Sequence, residues 1–327
     1  MGSPARNSLF QPLQVGHKTL KNRLVFGAHT ANMSELGLPG EQHRAYYEER
    51  AIGGAAMIVV EPMPVHPSAV LTRGNFHPQD DRVIKPFQVI TETCKKHGAV
   101  MIRQLYHVGQ HGDADNAFAA AWSPSGRPSY HDSDGSHAMS EAEIEEIIAA
   151  FVAAAKRCQA SGFDGIELFA NYHALIEQFW TPWSNWRTDQ WGGSLENRMR
   201  FSSRLMEDIR AACGADFIIG LAISQSPHTQ QDMCADELLQ IVRIHDAHKH
   251  MDYITCGTGS YLDFGRLMPT FVYAEKLGAD LASKVKATVK HTPVICESHV
   301  RTPENADYVI ASGDADMVSI VRGQIAD

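Results

Sequence analysis

Four tryptophans, Trp180, Trp183, Trp186 and Trp191, fall in one stretch, "QFWTPWSNWRTDQW". Indole faces attract cations, so such a cluster could hold a methylated ammonium group. The competing reading is that the rings pack the interior of their own loop. The stretch runs on into "GGSLENRMRF". Gly192 and Gly193 admit backbone angles closed to other residues. Ser194 is a good helix N-cap, with Glu196 in the first turn against the positive helix end. Arg187 and Asp189 read as a buried salt bridge pinning the loop rather than as a catalytic pair. Arg103 is a charge inside an apolar run, "AVMIRQL". The six cysteines (94, 158, 213, 234, 256 and 296) are too scattered for a metal knuckle or a redox motif. They read as reduced thiols in a cytoplasmic protein, and no metal site is expected.

The elements that must position these groups follow from periodicity. Strands are expected at 23–28, 56–61, 99–105, 165–169, 217–223, 252–256, 293–296 and 316–321. Helices are expected at 40–53, 84–97, 140–161, 194–212, 234–247, 275–290 and 303–311. Eight strands with helices between them imply parallel pairing and a closed (β/α)8 TIM barrel over 1–327 as a single domain. The segments after strands are long and the returns from helix to strand are short, which puts the functional face at the strands' C-terminal ends. An open doubly wound sheet is the alternative, but no Gly-rich dinucleotide fingerprint follows the first strand. The chain stops just after the eighth strand, which implies a barrel truncated there, a piece of something longer. A net charge of −9 with no basic run argues against nucleic acid. The longest apolar runs are strand-length, so no membrane span is expected.

Several motifs make the resemblance specific. "LFQPLQVGHKTLKNRLV", "QLYHVGQHG", "WSPSG", "SGFDGIEL", "NWRTDQWGGSLENRMRF" and "ADMVSIVRGQIAD" occur in the order and spacing of the Old Yellow Enzyme family. These are FMN-dependent NAD(P)H:flavin oxidoreductases on a (β/α)8 barrel. Within the family the chain most resembles the branch of trimethylamine dehydrogenase, dimethylglycine and N-methylproline demethylases and dienoyl-CoA reductases. That branch carries an iron–sulfur segment and a second nucleotide-binding region after the barrel, so both are expected only in a longer parent.

The resemblance implies site residues one by one. Ala28, His29 and Thr30 match the segment facing the flavin, and Thr30 in place of a flavin-linking cysteine implies non-covalent FMN. A strand-end cap is the other reading of Thr30. Glu61 ends the second strand beside the cofactor. Gln104 matches the glutamine that reads the flavin pyrimidine, since an amide offers a donor and an acceptor together. Arg322 and Gly323 match the phosphate site, with Ser298 and His299 as further donors. Glu297, in a turn that is usually glycine-rich, would repel a phosphate unless it points away.

Two departures stand out. Ala222 replaces an arginine that supports negative charge on the reduced ring, which should make reduction harder. Arg103 could substitute, but alternation with Gln104 sends it outward, to a carboxylate between strand and helix. Ala174 replaces a tyrosine acid, leaving Tyr172 or His173 as acid or substrate anchor. Asn171, Phe169 and Tyr261 complete the expected substrate pocket.

The expected activity is hydride transfer from an N-methylated amine or amino acid to FMN. The alternatives are NAD(P)H-dependent reduction of an activated alkene, and a barrel whose flavin site has decayed into a scaffold or binding subunit. The expected partners are a small-molecule substrate and, in solution, a homo-oligomer or an electron-transfer protein.

Overall fold

The computed structural model describes residues 8–71, 76–113, 119–129, 135–226 and 233–326. Eight strands close into a parallel barrel: β1 (Leu24–Phe26), β2 (Met57–Pro64), β3 (Val100–Tyr106), β4 (Gly165–Ala170), β5 (Ile218–Gln225), β6 (Tyr253–Thr258), β7 (Val294–Cys296) and β8 (Met317–Ser319). The outer layer is α1 (Glu41–Ile52), α2 (Ile84–Lys95), α3 (Glu141–Ala160), α4 (Leu195–Cys213), α5 (Ala235–Ala247), α6 (Ala279–Thr288) and α7 (Pro303–Ala311). Each expected element is found in its place. A five-residue helix, Arg322–Ala326, follows β8. The long loop expected over 107–139 lies partly outside the described residues.

Local chemistry accounts for the helix starts. The Ser194 hydroxyl accepts from the Asn197 amide at 3.3 Å, as its N-cap role requires. Ser140 and Glu143 form a reciprocal capping box at the start of α3. Thr302 caps α7 with Pro303 just inside.

The core has two shells. Outward residues of the strands, among them Met101, Leu105, Ile166 and Leu168, pack against the helices. Inward residues, among them Val25, Met57, Ile102, Ile218, Tyr253 and Ile295, fill the barrel's lower half. A hairpin, Leu13–Val15 paired with Lys18–Leu20, adds Val15 and Leu20 to that inner cluster and so packs against its base. Gly220 has no side chain because the Tyr253 ring lies against its Cα. Polar inward residues are left to the C-terminal end of the barrel.

Candidate active site at the barrel mouth

The floor of the mouth is a polar layer of inward side chains. Gln104 on β3 pairs in register with Glu167 on β4, and the Gln104 amide donates to Glu167 Oε1 at 2.8 Å. From β6, the Thr255 hydroxyl donates to Glu167 Oε2, also at 2.8 Å. The Tyr253 hydroxyl is near Glu167 but completes no hydrogen bond. Burial, reinforced by the charge of Glu297, pushes the Glu167 carboxyl up to about 7.

Glu297 follows β7 and turns inward. Its Oε2 accepts from the Ser319 hydroxyl of β8 at 2.8 Å, and its Oε1 from the Tyr172 hydroxyl at 3.3 Å. Tyr172 and Glu297 are both enclosed by protein yet keep some accessible surface, so they line a recess rather than the packed core. Burial raises the Glu297 carboxyl. Ala222 is buried on β5, opposite Phe169 in register. No lysine or arginine figures among the charges acting on either carboxyl.

Above the floor the walls are aromatic. Phe169 meets Tyr106 and Tyr172 edge-on, with centroids 6.2 and 5.7 Å apart, and Tyr261 packs on the same cluster. Tyr172 and His173 both have left-handed backbones, at φ 60° and 64°. Such angles are costly for bulky residues, and they concentrate at functional sites. The Tyr172 amide donates to the Ser224 hydroxyl. Asn171 is buried next to it with its side-chain oxygen unmatched.

Several expected residues face elsewhere. His173 sits in the body of the loop: its Nδ1 is 2.9 Å from His111 Nε2, and its ring meets Trp183. Burial holds it down to about 3, so it stays neutral and is no acid at working pH. The His29 ring turns onto Tyr46, 2.7 Å away. Glu61 does not face the mouth with free oxygens. It accepts from the Ala31 amide at 3.0 Å and lies 3.1 Å from His43 Nε2, which braces the loop carrying Ala28 and the exposed Thr30.

Arg103 does point outward, as alternation requires, but finds no carboxylate. It lies between the Phe76 and Phe87 rings, 4.5 and 4.2 Å from their centroids, and none of its nitrogens has a hydrogen-bond partner. Among the tryptophans, Trp180 and Trp191 are core, while Arg127 covers the faces of Trp183 and Trp186. Arg187 and Asp189 form the expected bridge, which is only partly buried.

Sequence reasoning missed Glu167, Thr255 and Ser319 as members of the site. Glu167 carried the same signal as Arg103, a charge inside an apolar strand.

The rim at β7 and β8 has the opposite character from the floor. Ser298 and His299 also have left-handed backbones. Both ring nitrogens of His299 are buried without partners. The ring feels the charges of Arg301 and Arg322; Arg322 and Gly323 are exposed at the rim.

A (β/α)8 barrel with a polar mouth and a basic rim at its last two strands is laid out for a phosphate-bearing cofactor. The chain matches the pattern of the NADH:flavin oxidoreductase / NADH oxidase family over residues 8–327 and belongs to that family. It is 33% identical to N,N-dimethylglycine/sarcosine dehydrogenase of Chromohalobacter salexigens, covering 99% of this chain and 47% of that protein. It is 31% identical to a probable N-methylproline demethylase of Rhizobium meliloti, covering 98% and 48%. The structure of a 2-naphthoyl-CoA reductase complex superposes with a TM-score of 0.92 at 25% identity, over 98% of this chain and 51% of that one. The chain thus spans about half the length of these relatives.

The residues present fit FMN at its phosphate end, where the unpartnered His299 ring and the arginines supply donors. At the ring end Gln104 offers an amide, but it is shared with Glu167, and the surroundings are acidic. Among the described residues no helix is long and apolar enough to cross a membrane, and no cluster of metal-binding side chains occurs.

Proposed function

We propose that the mouth binds a protonated or methylated amine and that the chain oxidises its N-methyl carbon. The observation that carries this reading is the floor itself. Glu167 and Glu297 act on one another at the barrel mouth, Glu297 is bonded to Tyr172 of the aromatic cluster Tyr106, Phe169, Tyr172 and Tyr261, and no lysine or arginine is among the charges acting on either carboxyl. Carboxylates together with aromatic faces complement a small ammonium ion.

His299, Arg301 and Arg322 would hold the FMN phosphate, and Gln104 the pyrimidine edge. Bound FMN supplies a two-electron acceptor for hydride from the N-methyl carbon. The iminium left behind adds water and separates into formaldehyde and the demethylated amine. The chain's own part is to orient the nitrogen and to receive its proton. Glu167, titrating near neutrality, is suited to both. The Tyr172 hydroxyl, bonded to Glu297, can pass a proton from the substrate side to the floor.

Ala174, buried and without a proton to give, makes alkene reduction the weaker reading. The test is anaerobic addition of N,N-dimethylglycine, sarcosine or N-methylproline to the FMN-loaded chain. Bleaching of the flavin spectrum with matching formaldehyde supports the proposal. Oxidation of NAD(P)H that depends on an activated alkene, with no formaldehyde from any amine, would overturn it. Because Glu167 must be ionised to hold a cation, amine affinity should rise as pH increases through about 7.

A further inference from the structure

Tyr172 leaves the chain just past β4, but its hydroxyl reaches Glu297 just past β7. In the closed order of strands these positions are three apart, so the side chain runs along the edge of the mouth past β5 and β6. The contacts on the way fix this path. The Tyr172 amide is held by Ser224, beyond the middle of β5, and Tyr172 bridges to Ser260 just after β6. At Gly257 on β6, an added Cβ would stand 3.5 Å from the Tyr172 hydroxyl and 3.6 Å from Glu297 Oε1. The hydroxyl and the carboxylate thus meet within van der Waals reach of β6 at Gly257.

At the far end Glu297 is anchored to β8 through Ser319, and its carboxylate lies against the end of β1, within 2.9 Å of where a Cβ on Gly27 would fall. The left-handed backbone at Tyr172, costly for a bulky residue, is held by its contacts with Ser224 and Ser260. Nothing in the family match assigns Glu297 a role.

We propose that Glu297 decides what the mouth accepts: ionised and bonded to Tyr172, it holds that ring along the β4–β7 edge and repels a flavin nucleotide. This rests on the reading of the mouth as a flavin site, but not on the amine as substrate. The titratable groups facing Glu297 are Glu167 on β4, Tyr172 beyond it, Tyr253 and Cys256 on β6 and Cys296 beside it. None is a cation, so none offsets its charge. Burial works against ionisation, and the bonds from Ser319 and Tyr172 work for it. Protonation at lower pH removes the repulsion and weakens the acceptor that holds Tyr172.

The experiment is an FMN titration of the full chain, stripped of flavin, followed by flavin fluorescence at pH 6 and pH 8. Wild type, Glu297→Gln and Tyr172→Phe are compared, with circular dichroism melting to confirm folding. Comparing proteins at one pH cancels the titration of the FMN phosphate itself. Glu297→Gln should bind FMN at least tenfold more tightly than wild type at pH 8, and the advantage should shrink towards pH 6. Tyr172→Phe, which frees the ring but keeps the charge, should gain less and leave the pH dependence in place. Equal affinity of Glu297→Gln and wild type at pH 8 overturns the inference. So does a failure of all three proteins to bind FMN at either pH. A chain that shows the expected pattern yet oxidises no methylated amine keeps this inference and loses the substrate reading.

Discussion

Arg103 and Glu167 are both charged residues in the middle of neighbouring barrel strands, both fully buried, and they end in opposite situations. Arg103 faces the helices, between two phenylalanine rings, and all its donors are unmatched. Glu167 faces the barrel axis, with a donor on each oxygen and the solvent-touched recess of Tyr172 and Glu297 beside it. A buried charge without partners costs stability and offers nothing a ligand can reach. A buried charge with partners, at the edge of a recess, can be held ready for a ligand at a tolerable cost. The difference separates a structural oddity from a site, and it rests on satisfaction and access rather than burial.

The largest test of this contrast is Glu167→Gln measured as stability against pH. The folded carboxyl titrates at about 7, above the ordinary glutamate value of 4.5. The folded state therefore binds more protons than the unfolded chain between these values. Its stability falls as pH rises through that window and levels off above it. Glutamine cannot ionise and keeps the amide-sized group in place. Urea unfolding should show no gain for the variant at pH 4 and a gain of about 3 kcal/mol at pH 8. A gain that is the same at both pH values would mean that Glu167 is not the titrating group. The variant should also lose affinity for a cationic amine, so stability and function move in opposite directions.

Arg103→Met should do the reverse: leave the mouth alone and stabilise the fold. Methionine keeps much of the stem's volume between Phe76 and Phe87 and removes an unpaired guanidinium. Replacing buried charges with apolar side chains of similar volume is often neutral or stabilising, here by about 1–2 kcal/mol. The cation–π contacts with the two rings oppose this gain. A destabilisation of about 3 kcal/mol, read from the same urea curves, would show that the rings more than compensate, and the contrast with Glu167 would fail.

How much of this was visible in the sequence depended on what each feature needs. The eight strands and seven helices were visible because each is written in local periodicity. So was the outward direction of Arg103, which follows from its adjacency to Gln104. Its partners were not, because they come from α2 and from Phe76, brought together only by packing. Glu61 was assigned to the cofactor through the family resemblance, as the residue ending the second strand, but the pairing of β2 with β3 shifts register between Val60 and Met63. Such an irregularity changes which way later side chains point, and no residue type announces it here. His173 was misplaced for a similar reason: two successive left-handed residues swing it from the mouth to His111, and neither is a glycine that would have signalled the turn. Glu167 was missed although its signal was in view, since the question asked of Arg103 applied equally to it.

The smallest test makes Glu167 slightly more like Arg103. Thr255→Val keeps the shape of the side chain and removes the hydroxyl that donates to Glu167 Oε2 at 2.8 Å. That bond favours the ionised carboxylate, and burial opposes it. Without it the carboxyl should titrate higher than about 7, by an amount equivalent to about 1 kcal/mol. Amine binding is the sensitive readout. Its rise with pH should shift to higher pH in the variant, while affinity well above the transition changes little, because Gln104 still holds the other oxygen. A uniform loss of affinity at every pH would instead make Thr255 a direct ligand of the substrate. An unchanged profile would mean that Glu167 is not the group the amine meets.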